Sequence, residues 1–459
     1  MSLLTAIQTA GSALQSYSLA LSADQTNVAN AATPGYAALR AVIQPVGNGG
    51  QGGADRVVLT SEGDSRTDSL VRDALSASGA SQTGVNELSQ INQLFDITGA
   101  SGILQAFQKF STAFANASVN PNDSTLRSIA LSSAGSVAVA FNAAAKSLSA
   151  QKARVDGAIG STFTQINKLA TQIAAYNAQI LRDPNSNPAA DAGLRSALDS
   201  LSSLVDIGVS TSSDGTVSVL AGGQQPMVIG DQSFTLSVNP AAPSGSQVTS
   251  SGGGSSPASF SGQLGSLLSI RSQTISSLLG GNGSTGQINS LAKGFAVRVN
   301  ALLSSGVTAS GGAGIPIFTF DSSNDANVAQ TLSVDPAISP DQLALASTGS
   351  SAQSNGVANQ LSQLPGSTQP ADQISGLSAT GYFAFIAATV GQSYSDAQTQ
   401  SSSDAGALTA AQASRTQVSG VSLDQEAVSI TSYERAYQAS AKIVSVLDQL
   451  TSDEVNLIK

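Results

Sequence analysis

Apolar residues recur at seven-residue intervals at both ends of the chain. At the front, Leu3, Ala10 and Tyr17 follow one register, and Ile7, Leu14, Leu21 and Val28 interleave with them. The intervals alternate four and three, which holds a narrow seam on one side of a helix. At the back, Ile430, Tyr437 and Val444 form one register and Tyr433 and Leu447 the other. A parallel seam follows through Ala436, Ile443, Leu450 and Leu457. A seam this narrow cannot bury itself. Each end needs another helix, from its own chain or from a neighbour. The expected assembly interface is therefore Leu3, Ile7, Leu14, Tyr17, Leu21 and Val28 with Ile430, Tyr433, Tyr437, Val444 and Leu447.

Between these ends the period changes several times. The first helix stops at Ala29-Asn30-Ala31-Ala32-Thr33-Pro34-Gly35-Tyr36, because proline cannot continue a helix and glycine permits a sharp turn. An extended stretch follows, with a Gly-rich insertion at Gly47–Gly53 and a strand candidate at Val57–Leu59. From about Ser65 to Leu204 the spacing is helical, and the longest run goes from about Ser124 past Leu181 to a stop at Asp183-Pro184-Asn185. From Val205 to Val238 short alternating runs flank Asp214-Gly215, a hairpin signal. Residues 239–259 are rich in Ser, Gly and Pro and read as a loop. Helical spacing returns at Leu264–Leu268 and at Ile288–Leu302, a strand candidate lies at Ile315–Phe320, and helix resumes from about Asp372 with a break near Val418-Ser419-Gly420.

The expected class is mainly α with a smaller β-rich domain. Its expected parts are an N-terminal coiled-coil helix (1–36), an extended connector (37–84), a helical middle domain (85–205), an inserted β-rich domain and loop (206–260), a helical or mixed second part (261–418) and a C-terminal coiled-coil helix (419–459). Both termini belong to one unit, and the middle is inserted into it.

Composition narrows the function. The 459 residues are 41% hydrophobic but only 4% aromatic and 10% charged, so stability must come from many shallow contacts. Cys, His and Trp are absent, which removes disulfides, thiolate metal sites and the usual general base. No cofactor and no metal site is expected. The net charge of −10 and the lack of a basic patch argue against nucleic acid. The longest apolar run, near Phe383 to Val390, is far short of a membrane span. The first 35 residues carry one charge, Asp24, and lack the pattern of a cleaved signal. An acidic, Cys-free chain of this kind suits export by a signal-peptide-free route.

Strings that look catalytic have simpler readings. Gly281-Asn282-Gly283-Ser284-Thr285-Gly286 matches G-x-G-x-x-G, but a helical pattern precedes it and no acid follows until Asp321. Ser149-Ala150-Gln151-Lys152 and Ser290-Leu291-Ala292-Lys293 lie on helical faces, and no Lys-Thr-Gly triplet accompanies them. No clustered carboxylate pair suggests an enzyme.

The ends carry a resemblance. Leu21-Ser22-Ala23-Asp24-Gln25-Thr26-Asn27-Val28-Ala29-Asn30 with Thr33-Pro34-Gly35-Tyr36 resembles the N-terminal signature of the bacterial flagellar axial proteins, the rod, hook and hook-associated subunits. Val421-Ser422-Leu423-Asp424-Gln425-Glu426-Ala427 with Tyr433–Ala441 resembles their C-terminal signature. Ser124-Thr125-Leu126-Arg127, the long helix after it, Asp214–Val217 and Gly262–Leu268 are similar to the hook-associated branch, since rod and hook proteins have a β-rich middle.

The resemblance implies a structural subunit at the hook–filament junction, outside the cell, that polymerises through its paired terminal helices. Terminal helices would lie innermost and the β piece outermost. The implied partners are other copies of the chain, the hook protein, hook-associated protein 3 and an export chaperone at the C-terminal helix. A hook or distal rod protein is the alternative within the class, and a secreted coiled-coil adhesin the alternative outside it. Before assembly both ends are expected to be disordered or loosely paired, because ordering costs about 1–2 kcal/mol per residue and one Ala-rich seam buries little.

Overall fold

The protein is described by a computed structural model over residues 3–45, 55–95, 102–182, 188–239, 247–253, 255–257, 260–281, 284–348 and 354–457. Helix α1 (Leu3–Asn30) opens the chain, followed by the antiparallel hairpin β1 (Leu39–Pro45) and β2 (Asp55–Ser61). The extended connector expected over 37–84 is shorter than that. Helix α2 (Ser65–Gln93) starts at Asp64, whose carboxylate accepts from the backbone N–H groups of Arg66 and Thr67. That side chain satisfies orphan donors of the first turn, so the helix begins at Ser65, where the helical spacing was expected to start, inside the stretch assigned to the connector. The Gly47–Gly53 insertion lies outside the described residues.

The middle is a helical block. It comprises α3 (Ile103–Val119), α4 (Ser124–Arg182) and α5 (Pro188–Leu204), then α6 (Gly262–Ser269), a π-turn at Ile270–Ile275 and α7 (Ser276–Leu279). Helices α8 (Gln287–Ser304), α9 (Val328–Thr331) and α10 (Gly356–Gln363) complete it. α4 is 59 residues long and starts at Asp123, which accepts from the N–H groups of Thr125 and Leu126. By length and composition α4 could cross a bilayer, but Val137, Phe141, Leu148, Val155, Ile166 and Ile173 on its stripe form the core of the block.

Aromatics, though scarce, concentrate at one point. The ring centroid of Phe295 lies 4.7 Å from that of Phe107, 5.2 Å from Phe110 and 6.3 Å from Phe318. Buried Arg127 ties the start of α4 to a distant loop through a 2.7 Å bond from its Nη1 to the carbonyl of Leu343, and donates from Nε to Pro121.

The β-rich insertion stands on α4. Strands β3 (Ile207–Thr211), β4 (Val217–Ala221), β5 (Gln225–Ile229) and β6 (Gln232–Ser233) form an antiparallel sheet in that order. The β3–β4 turn contains Asp214-Gly215, as its sequence predicts, with Gly215 at φ +86°. Residues 239–259, expected as a loop, instead contribute to a second sheet of β7 (Leu236–Asn239), β8 (Gln247–Ser250) and β9 (Ser255–Pro257). Its low apolar content hides the strands. The sheet is held by backbone pairing, with Val248 and Leu236 its buried apolar contributions among the described side chains.

Short strands β10 (Gly306–Val307), β11 (Phe318–Thr319), β12 (Ser333–Val334) and β13 (Ala346–Ser347) pair as β10–β13 and β11–β12. The strand expected at 315–320 is thus only two residues long, because Ile317 and Phe318 are held mainly by the side chain of Asn300.

Helix α11 (Ala379–Ser419) buries Tyr382, Phe383, Ile386 and Val390 in the block and then runs antiparallel along α2. It starts at Ser378, whose hydroxyl accepts from Gly381 N–H, later than the Asp372 expected from spacing. After the break at Gly420, α12 (Leu423–Leu457) returns along α1.

Replacing Phe295 by Ala removes the ring on which three other aromatics converge. The expected cost is about 3–5 kcal/mol, read as a lowered chemical-denaturation midpoint of the helical block.

Candidate assembly interface

α1 and α12 pair antiparallel. The rings of Tyr17 and Tyr433 meet at 6.3 Å, and Asp24 faces Glu426 one to two turns further on. Hairpin β1–β2 also lies against α1. On α1 the deepest residues are small or polar: Ala10, Ser16, Ala20, Ala23, Asp24 and Asn27. Ile7, Leu14, Tyr17 and Leu21 are half-buried on one flank of that face, and Val28 is 42% exposed. The side chain of Leu3 lies outside the described residues. An α-helix advances 3.6 residues per turn, so a strict seven-residue repeat drifts sideways. Small and polar residues then occupy the centre of the buried face.

On α12, Ile430, Tyr433, Val444 and Leu447 are half-buried toward α1, with Ser440 the deepest. Tyr437 sits at the edge of this face and is 43% exposed. The parallel seam turns away from α1: Ile443 is 53% and Leu450 48% exposed, and Val446 lies beside them. One apolar stripe of α12 is therefore covered by its own chain, and a second is open.

The octet after α1 works as a joint. Asn27, buried in the last turns of α1, donates from Nδ2 to the carbonyl of Leu39 (2.9 Å) and accepts on Oδ1 from Leu39 N–H (2.8 Å) and from the Tyr36 hydroxyl (2.8 Å). This fixes the first residue of β1 against α1. Asn30 donates to Thr26, and the Thr33 hydroxyl donates to Asn30 Oδ1 at 3.2 Å, which closes the turn. Ala29, Thr33 and Pro34 are exposed. Gly35 has φ +77°, and a Cβ there would lie 2.6 Å from the carbonyl of Ala192 on α5. The break between α11 and α12 meets the joint: Ala38 N–H donates to Ser419, and the Ser419 hydroxyl donates to Glu62.

Ions lock this joint to the block. Arg415 on α11 bonds Asp199 on α5 at 2.7 Å and lies 3.7 Å from Asp68 on α2. Arg195 on α5 reaches Asp191 at 3.1 Å and Asp68 at 3.8 Å. Burial raises the Asp199 carboxyl above its ordinary range, against the opposing pull of Arg415. The cluster borders a 220 Å³ cleft with Thr33, Gly35, Tyr36 and Ser419.

Asp24, Asn27, Glu426, Ser419, Arg195 and Arg415 escaped assignment from sequence. The isolation of Asp24 as the lone charge of the first 35 residues was the available signal. The lysines of both S-x-x-K strings are paired with carboxylates, Lys152 with Asp156 and Lys293 with Asp325. Among the described residues no group of metal-ligating side chains occurs.

Asn27→Ala leaves the half-buried backbone N–H and carbonyl of Leu39 without this partner, at about 1 kcal/mol each. Faster hydrogen exchange at the start of β1 is the expected result, with the helical block unchanged. Gly35→Ala is expected to loosen the same joint through the clash with α5.

Residues 88–318 of the 459 match the family described as "Flagellar hook-associated protein FlgK helical domain". Residues 412–457 match "Flagellar basal body rod FlgEFG protein C-terminal". The chain is 26% identical to flagellar hook-associated protein 1 of Bacillus subtilis (strain 168) over 510 aligned positions, covering 98% of this chain and 97% of that protein. It shares its fold with the flagellar hook junction protein FlgK of Burkholderia pseudomallei, at a TM-score of 0.65 and 17% identity over 76% of this chain and 100% of that one. With its helical block matched from the end of α2 to β11, the chain belongs to the flagellar hook-associated protein FlgK family.

Proposed function

We propose that the chain is a structural subunit of the bacterial flagellum that forms the hook–filament junction by polymerising through α1 and α12. The observation that carries this reading is the second apolar stripe of α12. Ile443, Val446 and Leu450 stand open on a helix whose other stripe is already paired. An exposed apolar row of this kind marks an association site. Burying each large side chain against a neighbouring helix contributes about 1.5–3 kcal/mol before ordering costs. A ring of copies multiplies that gain.

The joint at Asn27, Gly35 and Ser419 would set the angle between this inner pair and the helical block. The block would form the next layer outward, and the β insertion, carried on α4, the outermost. The resemblance of both ends to axial proteins supports contacts with the hook protein on one side and hook-associated protein 3 on the other. An export chaperone would cover the open stripe of α12 before assembly. Export would follow the flagellar route without a cleaved signal, placing the assembled protein outside the cell. No turnover is part of this role.

Deleting the gene and imaging the cell surface tests the reading. Completed hooks without filaments, with flagellin lost to the medium, are expected; normal filaments would overturn it. Ile443→Asp and Leu14→Asp are each expected to keep the unfolding free energy of the helical block within about 0.5 kcal/mol and to abolish incorporation into junctions.

A further inference from the structure

Where α1 meets α12, two carboxyl groups face each other, and among the described side chains no cation lies between them. Asp24 is among the most buried residues of α1, and its Oδ2 is buried without a hydrogen-bond partner. Oε2 of Glu426, on the opposite helix, is in the same condition. Two acceptor-only oxygens, each out of reach of solvent, repel each other where the helices meet. A single proton converts one of them into a donor and satisfies both.

Among the described side chains the neighbours do not relieve the pair in any other way. From the loop after α1, the Tyr36 hydroxyl is spent on Asn27 Oδ1. From α12, Tyr433 is directed against the ring of Tyr17 on α1. From β1, the Arg40 guanidinium is held 2.6 Å from Glu62, with its side chain largely in solvent.

We propose that Asp24 and Glu426 share one proton, so that closing α1 against α12 takes a proton from solvent. The pair then acts as a proton-sensitive catch on the terminal helices. This goes beyond the assembly reading, because it concerns how the two ends close within one chain.

The direction of the pH dependence follows from the fold. Burial first, and the Glu426 carboxylate second, push the Asp24 carboxyl from its ordinary 3.8 up to about 6. Burial and Glu426 likewise push Tyr36 up to about 12, as expected for a site where negative charge is costly. Between an unfolded value near 3.8 and a folded one near 6, the closed form holds more protons than the open form. Closure is therefore strongest below this window and weakens as pH rises through about 6.

The absence of cysteine from the sequence makes the test direct. Gln15→Cys on α1 and Gln438→Cys on α12 are both at exposed positions. A donor and an acceptor dye there report helix closure in the full-length chain by energy transfer. Between about pH 8 and about pH 5 the closed-to-open ratio is expected to rise at least about tenfold. In the same labelled chain, Glu426→Gln and Asp24→Asn each supply an amide donor where the shared proton would sit. Both are expected to stay closed across the range with a flat profile.

Three results would overturn the proposal. These are a flat profile in the parent chain, a pH response that survives in both variants, and helices open at every pH. Junction assembly is scored separately by imaging. A flat parent chain that still builds junctions removes the catch and leaves the assembly reading standing, whereas a responsive chain that builds none does the reverse.

Discussion

Asparagine amides on helices hold this protein in register. A primary amide carries a donor and an acceptor side by side, so it can pair with the backbone of a passing segment as a neighbouring strand would. Asn27 does this to Leu39, Asn167 to Leu236, and Asn177 to Val217 with a further bond to Gly230. Asn289 donates to Leu279 and accepts from Ala329. Asn300 holds Ile317 and Phe318, and Asn142 donates to Ala329 and Leu332. In a chain with 4% aromatics, alanine and serine faces can slide with little penalty. A directional bond to the backbone, made in a dry setting, removes that freedom. Each of these segments is thus docked on a helix by a side-chain amide.

The same economy explains the architecture. α4 serves as a post: one stripe builds the core, and Asn167 and Asn177, ten residues apart on it, carry the two β sheets. α2 and α11 form the stem that leads from the block to the joint. There the constraints change in kind, from apolar burial to the charges of Asp68, Asp199, Arg195 and Arg415. Ion pairs of this type add little net stability when exposed, but breaking a buried one leaves an uncompensated charge. Their role at a joint is to fix an angle.

Beyond the joint, burial becomes sparse. The terminal pair is floored by Ala10, Ala20 and Ala23, keeps its large side chains at the flanks, and leaves an apolar row of α12 uncovered. An element with so little gained inside one chain is suited to completion by neighbours. The facing carboxyls of Asp24 and Glu426 fit that economy, because they weaken closure of the isolated pair without removing its apolar surface.

The order of elements was legible in the residues themselves. Seven-residue repeats marked α1 and α12, Pro34-Gly35 and Ser419-Gly420 marked their bounds, and Asp214-Gly215 marked a hairpin. These features are local, governed by backbone dihedrals and by spacing along a helix. The start of α2 at Ser65 coincides with the onset of helical spacing, whereas the strands within 239–259 are made by pairing, which periodicity does not report. The face of α1 that becomes its centre was decided by what lies over it. α12 and the β1–β2 hairpin both approach the small residues, which turns Val28 outward and sets Asp24 against Glu426. The asparagine docking points and the joint's ion cluster are likewise contacts between residues far apart in the chain. Sequence by itself determined the lengths, periods and stops of the helices, because those depend on neighbours within a few residues. Tertiary structure alone decided which polar groups are buried together, because hydrogen bonds and charges act through space on whatever the folded chain brings within reach.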